Sequence, residues 1–263
     1  MHTYWEIAKL SFRRQITYRA ATLAGLATNF FFGLLRAALL VALYGARREV
    51  SGISIQAAIT YTGITQAIIA YLSLFGWYDL MRSVYTGAVG SDLLKPVSYF
   101  TFWMAQDFGR AIANLLLRAI PILFFYALFF GITTPQNLGQ WLALTVTLFL
   151  SWVVSFCWRF LVNLSAFWVP NALGIGRLAF TLAYFMSGFL VPLRFMPDWF
   201  VRLCYLTPFP ATVNVFIETY LGLLDGRALG LALLNQGIWI VILVAAIQLA
   251  LRAGVRRLVI LGG

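Results

Sequence analysis

Asp92 and Lys95 stand three residues apart in the stretch GAVGSDLLKPVSYF, residues 87–100, and Pro96 follows directly. At helical spacing an acid and a base can pair on one face of a short turn. Two further cations, Arg36 and Arg118, fall inside long apolar runs. A guanidinium at membrane depth faces a cavity, a partner or an anionic group, unless its stem carries it to the interface. Both outcomes stay open for each arginine. The rest of the chain offers little for covalent or acid–base work. His2 is the single histidine, and Cys157 and Cys204 match no metal or disulfide spacing. The sequence contains no GxxxxGK[ST], HExxH, CxxC or GxSxG. A phosphate loop, a zinc-peptidase site and a serine nucleophile elbow therefore lack their sequence signatures. Gly174-Ile-Gly-Arg177 has no preceding strand pattern and reads as helix packing. No catalytic residue and no metal ligand is expected.

These side chains must be positioned by apolar elements. The 263 residues are 62% hydrophobic and only 10% charged, against about 25% charged in a soluble domain. Apolar runs of membrane-crossing length recur, which predicts an all-α membrane protein. Six transmembrane helices are expected, at about 20–44, 53–78, 104–131, 141–165, 172–192 and 228–251. They would form one membrane domain over 1–263, with no internal repeat. Before them, about 2–18, Trp5, Ala8, Phe12 and Ile16 recur every three or four residues beside a polar stripe of Glu6, Lys9 and Arg13. That pattern predicts an amphipathic helix in the membrane interface. The N-terminal charges are spread along the segment and no early apolar core precedes a cleavage site. The first span is therefore expected to serve as an uncleaved anchor.

The formal net charge of +11 would suggest nucleic acid in a soluble protein. Here the cations flank apolar runs, so they set orientation and no nucleic acid is expected. With the N-terminus inside, Lys9, Arg13, Arg14, Arg19, Arg82, Lys95, Arg110, Arg159, Arg177, Arg252, Arg256 and Arg257 are cytoplasmic. Arg47, Arg48, Arg194, Arg202 and Arg227 face out. The bias predicts a multi-pass protein of an inner or plasma membrane, with both termini cytoplasmic.

On this topology residues 87–100 are cytoplasmic. Gly90 would permit a tight turn, Ser91 or Asp92 would cap a short helix, and Pro96 would end it. Residues 187–226 carry Pro192, Pro197, Pro208 and Pro210 in an apolar setting. Such broken backbone survives at membrane depth only when buried in protein or lining a cavity. Short re-entrant helices are expected over about 193–226, on the outer side between spans five and six. Trp199 and Tyr205 would lie at headgroup level. Asp79, Asp92 and Asp107 are placed at the cytoplasmic side, and Asp198, Glu218 and Asp225 in the outer region. No mid-membrane carboxylate is expected, which weighs against ion coupling. Asn29 and Gln66 read as helix–helix hydrogen-bonding residues.

Three features together resemble the permease subunit of type-2 ABC transporters: the basic amphipathic helix before span one, the GAVGSDLLKPVSYF segment, and MSGFLVPLRFMPDWFVRLCYLTPFPATVNVFIETYLG after span five. The resemblance implies a non-catalytic exporter subunit that forms the translocation path with a second permease, identical or related. Two separate ABC ATPase subunits would supply the power, with ATP and Mg bound on them and no cofactor on this chain. It also implies that Asp92, Leu93, Leu94, Lys95 and Pro96 form a coupling helix against the ATPase, with Glu6, Lys9 and Arg13 nearby. Spans one, two and five would line the pore and dimer contact. A hydrophobic or amphipathic substrate is expected, such as a drug, a lipid or a lipid-linked molecule. The alternative is an ion-coupled secondary transporter acting without an ATPase. A membrane enzyme acting on lipid and a scaffold without transport are weaker readings.

Overall fold

Long apolar runs without interior breaks become long helices, and the breaks fall where glycine, serine or proline interrupts them. A computed structural model describes residues 2–169 and 171–257. The outermost residues of the single-domain reading, 1 and 258–263, lie outside the described residues, as does the Arg19 side chain. Helix α1 is His2–Thr17 and α2 is Arg19–Tyr44. A two-residue hairpin follows, β1 Glu49–Val50 against β2 Ile53–Ser54. Ser51 and Gly52 turn it with positive φ. This hairpin is a small departure from the expected all-helical chain. Next come α3 Ile55–Leu72, α4 Asp79–Tyr85 and α5 Val89–Leu93. Helix α6 runs over Tyr99–Phe130, followed by α7 Leu138–Leu164, α8 Leu173–Met186, α9 Asp198–Tyr205, α10 Asn214–Tyr220 and α11 Gly226–Val255.

Four helices are long and apolar enough to cross a membrane: Ala20–Tyr44, Tyr99–Phe130, Leu138–Phe167 and Gly226–Val255. The other two expected spans are shorter than 53–78 and 172–192. Helix α3 has 18 residues and α8 has 14, about 27 and 21 Å at 1.5 Å per residue. Helix α3 stops because Ser73 turns left-handed and Gly76 also has positive φ. The apolar residues Leu74, Phe75 and Trp77 continue the hydropathy beyond the helix. Helix α8 stops before Gly188, which has φ +82°.

Helix α3 is the buried centre, packed by α2, α6 and α7. Its Thr60, Thr62 and Thr65 are buried but bond backbone carbonyls of their own helix at 2.7–2.8 Å. That leaves few polar groups unpaired in the interior. Asn29 of α2 donates to the Gln66 carbonyl at 3.4 Å, a helix–helix contact of the expected kind. Gly176, in the Gly-Ile-Gly-Arg stretch, is buried in α8 and lies against Tyr78 and Met81.

Helix α6 is not uniform. Leu115–Ala119 form a π turn, with the Ile120 N–H reaching the Leu115 carbonyl. Pro121 follows and has no N–H for the usual i−4 bond. A wide turn just ahead of it absorbs that loss.

Candidate functional site

One corner of the bundle joins α1, α4, α5 and the start of α6. Helix α1 lies on α6. At their crossing Gly109 meets the Ala8 backbone so closely that any Cβ at 109 would strike the Ala8 carbonyl group. The face turned to α6 holds Tyr4, Ile7, Ala8 and Ser11, whereas Trp5 and Ile16 are exposed. Of the expected stripe, Ala8 is buried and Phe12 half-buried beside Phe108 and Gly109, while Trp5 and Ile16 are exposed. The closest approach of α1 to α6 is set by the small pair Ala8 and Gly109.

The 87–100 segment forms a braced turn. Gly87, with φ +75°, supplies the tight backbone, and Gly90 is helical. Ser91 and Asp92 lie inside α5 and do not cap it; the cap position is Ala88, without a side-chain bond. Ser91 bonds back to the Ala88 carbonyl at 2.8 Å. Lys95 pairs with Asp92 at 2.6 Å and lies 4.3 Å from the Phe102 ring centroid. Leu93 packs against the core. Leu94 is 87% exposed, and Pro96 is exposed beside it. The Ser98 N–H donates to the Tyr4 hydroxyl at 3.4 Å, tying α1 to the loop. Among the described residues no ion pair joins Glu6, Lys9 or Arg13 to this turn. Lys9 pairs with Glu6 at 3.6 Å, and Arg13 is exposed.

Behind the turn lies a charge cluster. Asp107, Arg110 and Arg159, read as cytoplasmic-side charges, are packed inside the bundle: Asp107 is 3% exposed and Arg159 2%. One Asp107 oxygen accepts from Arg110 Nε at 2.8 Å and Arg159 Nη1 at 3.0 Å. The other accepts from Arg159 Nη2 at 2.8 Å and Trp152 Nε1 at 2.9 Å. The carboxylate's acceptor capacity is thus filled. Two guanidinium groups against one carboxylate leave an excess positive charge. The C-terminus of α3 balances it: Arg110 donates to the Ala70 and Tyr71 carbonyls at 2.6 and 3.1 Å, and Ser155 to Leu72 at 2.8 Å. Those carbonyls carry the negative end of the helix dipole. From the same face of α7, Asn163 donates to the Trp77 carbonyl at 2.7 Å and accepts the Met81 N–H at 3.1 Å. The cluster therefore fixes the α3–α4 connection that leads into the 87–100 turn. Charges inside the apolar runs YFTFWMAQDFGRAIAN and SFCWRFL were its sequence signal. Their mutual contact was not readable, because it joins separate helices.

The two intraspan arginines behave differently. Arg118 lies in the π turn, and its Nη2 donates to Ala21 in the first turn of α2 at 3.2 Å. Its guanidinium rests on Gly25, where a side chain would collide. Arg36 reaches the break after α8. It donates to Thr65 Oγ1 at 3.2 Å, to the Leu190 carbonyl at 2.7 Å and to the Phe189 carbonyl, and it lies 4.8 Å from the Phe189 ring centroid. The Tyr61 hydroxyl donates to Gly188 alongside. Arg36 thus holds carbonyls that a helix end leaves without partners.

The residues singled out between 187 and 226 do not converge on one point. Pro192 is buried ahead of a single 3₁₀ turn, Pro197 opens α9, and Trp199 is 68% exposed. Pro208 and Pro210 begin a continuous buried run to Tyr220. The Ala211 carbonyl accepts Ser151 Oγ at 3.2 Å and Gln236 Nε2 at 2.9 Å. Ser151 is about 20 Å along α7 from its first residue, so this chain segment lies well down the helix. Arg194 grips Glu218 through Nε at 2.7 Å and Nη2 at 3.3 Å. Its pKa is held above the usual arginine range, chiefly by the hydrogen bond to Glu218. Burial raises Tyr205, whose hydroxyl accepts from Asn214 at 3.3 Å.

A multi-pass helical chain with a braced interhelical turn and buried intraspan charge is the form of a membrane transport subunit. Residues 30–262 match the family described as ABC-2 family transporter protein. The chain belongs to that family. It is 27% identical over 167 residues to ABC transporter G family member 41 of Oryza sativa subsp. japonica, covering 62% of this chain and 10% of the rice protein. The chain thus spans about a tenth of that relative's length. No solved structure matches.

Proposed function

We propose that this chain is the permease subunit of an ATP-driven exporter. It works with a second permease, identical or related, and with two ABC ATPase subunits that carry ATP and Mg. All six apolar helices cross the inner or plasma membrane, with both termini cytoplasmic. Residues 193–226 re-enter from the outer side; the depth of Ala211 against α7 supports this. The substrate is hydrophobic or amphipathic, such as a drug, a lipid or a lipid-linked molecule.

The observation that carries the reading is the 87–100 turn. Leu94 projects from a turn stiffened by the Asp92–Lys95 pair, by Phe102 and by Tyr4. An exposed apolar knob on a stiff base fits a docking contact, because little order is lost on binding. Asp92 and Lys95 brace the knob, Leu93 anchors it, and Pro96 ends it.

Asp107 is the buried carboxylate that an ion-coupled transporter would need. Protonating it would strand two buried cations, which suits a structural bridge rather than an ion carrier. The test is purification of the tagged chain from its native membrane. We expect a P-loop ATPase and a permease to co-purify, and Leu94→Asp to remove the ATPase while leaving the chain folded. Recovery of the chain alone, with substrate movement in liposomes driven by an ion gradient without ATP, would overturn the reading.

A further inference from the structure

Between α3, α6, α7 and α10 lies an apolar crevice of about 580 Å³, lined by Ala67, Ala119, Leu123, Ala127, Leu144 and Phe216 among others. Three alanines on its walls leave the space open. It extends along α6 from Leu115 past Ala127, about 18 Å at 1.5 Å per residue. One leaflet of hydrocarbon is about half of a ~30 Å core, so the crevice has the length of one acyl chain. Its volume falls in the range of about 300–1,000 Å³ typical of small-molecule sites.

The crevice has a polar end. At Thr134 it meets a second cavity of about 380 Å³, lined by Thr133, Gln136, Asn137, Gln140 and Asp225 among others. Trp141 and Tyr220 stand where the apolar part begins, the position of interfacial aromatics. Among the described residues no lysine, arginine or histidine lines the polar cavity. Asp225 is exposed and has no ion pair among the described residues.

We propose that this is a resident binding site for one bilayer phospholipid with an ammonium headgroup. One of its two acyl chains lies in the crevice against Ala119, Leu123 and Ala127, and the other stays in the bilayer. The headgroup lies in the α6–α7 turn, its ammonium at Asp225 and its phosphate on the Thr133 and Thr134 hydroxyls and the Gln136 amide. A site with a carboxylate and no cation discriminates against anionic headgroups. The site stands independently of the export reading and does not require the lipid to be the transported molecule.

The experiment uses the full chain in nanodiscs of equal phosphatidylethanolamine and phosphatidylglycerol, followed by mild release and native mass spectrometry. The expected result is one retained lipid, with phosphatidylethanolamine favoured about two- to fivefold, the scale of one partly exposed charge contact. Ala127→Trp fills the crevice from an exposed position and should abolish retention. Leu128→Trp, exposed but outside the lining, should not. Asp225→Asn leaves packing untouched and should return the headgroup ratio to that of the nanodisc. Retention unchanged in Ala127→Trp, or a headgroup ratio equal to the input in the unaltered chain, would overturn the proposal. So would efficient Ala127→Cys cross-linking between two copies, which would place protein over this face.

Discussion

Asp107 holds two guanidinium groups that have no other carboxylate partner among the described residues. Replacing it with leucine removes the negative charge and leaves both cations buried. Breaking such a pair from one side typically costs about 3–5 kcal/mol. Asp107→Leu is expected to lower the thermal unfolding temperature in detergent sharply, and a variant as stable as the unaltered chain would show that the cluster is slack. The Arg194–Glu218 pair is a milder case, with the Arg194 side chain 37% exposed. Its removal by Glu218→Gln should cost about 1 kcal/mol, discounted for that exposure. The sign of its pH dependence follows from Arg194. A cation whose folded pKa is raised contributes stability below its unfolded pKa and loses it as pH rises through the folded value. Both values lie far above neutrality, so the arginine contributes no pH dependence between about pH 6 and 9. Proteolysis of the 193–226 region at several pH values in that window would check this. These residue-level pairs were poorly legible in the sequence. Asp107 and Arg110 share a helix turn, but Arg159 lies 52 positions from Asp107, and pattern alone does not pair side chains across helices.

At the scale of elements, hydropathy found the long helices and missed where two of them stop. Polar or glycine breaks inside apolar sequence ended α3 and α8, and hydropathy averages over such breaks. The short elements near 87–100 and 193–226 were recognisable from their prolines and glycines, although the residue at the tight turn proved to be Gly87. The contact of α1 with α6 is decided by a small residue opposite a small residue, which the amphipathic pattern of α1 does not register. That contact can be tested. Gly109→Leu places a side chain into the Ala8 backbone and should lift α1 from α6 without changing the long helices. Accessibility of a cysteine at Ser11, on the covered side of α1, should then rise to that of an exposed position. Unchanged protection would mean that α1 is held elsewhere.

For the whole molecule, orientation is the property on which the other readings turn. Both native cysteines are free and buried, so single introduced cysteines can be labelled against a low background. Ser91→Cys should react with an impermeant maleimide only from the cytoplasmic side, and Gln136→Cys only from the opposite side. The reverse pattern would place the Leu94 turn out of reach of any cytoplasmic ATPase. Composition was enough to read a multi-pass helical protein, and the family was read from the resemblance of three segments, the N-terminal amphipathic helix, residues 87–100 and the proline-rich stretch after span five. They were silent on which apolar surfaces face lipid and which face a second chain, because both surfaces select the same residue types.

The π turn in α6 also sets the phase of the two halves of that helix. Before it, Asp107 and Ala111 point inward; after it, Ile122 and Tyr126 do, each at most 3% exposed. One extra residue in the turn is what lets both halves face the same interior. Removing Leu116 or Leu117 would let the turn close to ordinary α geometry with the phase kept, whereas closing it with every residue in place would rotate everything beyond it by about 100°. Ile122 and Tyr126 would swing out of the core, and Phe124 and Phe125 would change sides. The five residues Leu115–Ala119 therefore work as a rotational offset, a feature that the hydropathy of this helix does not register.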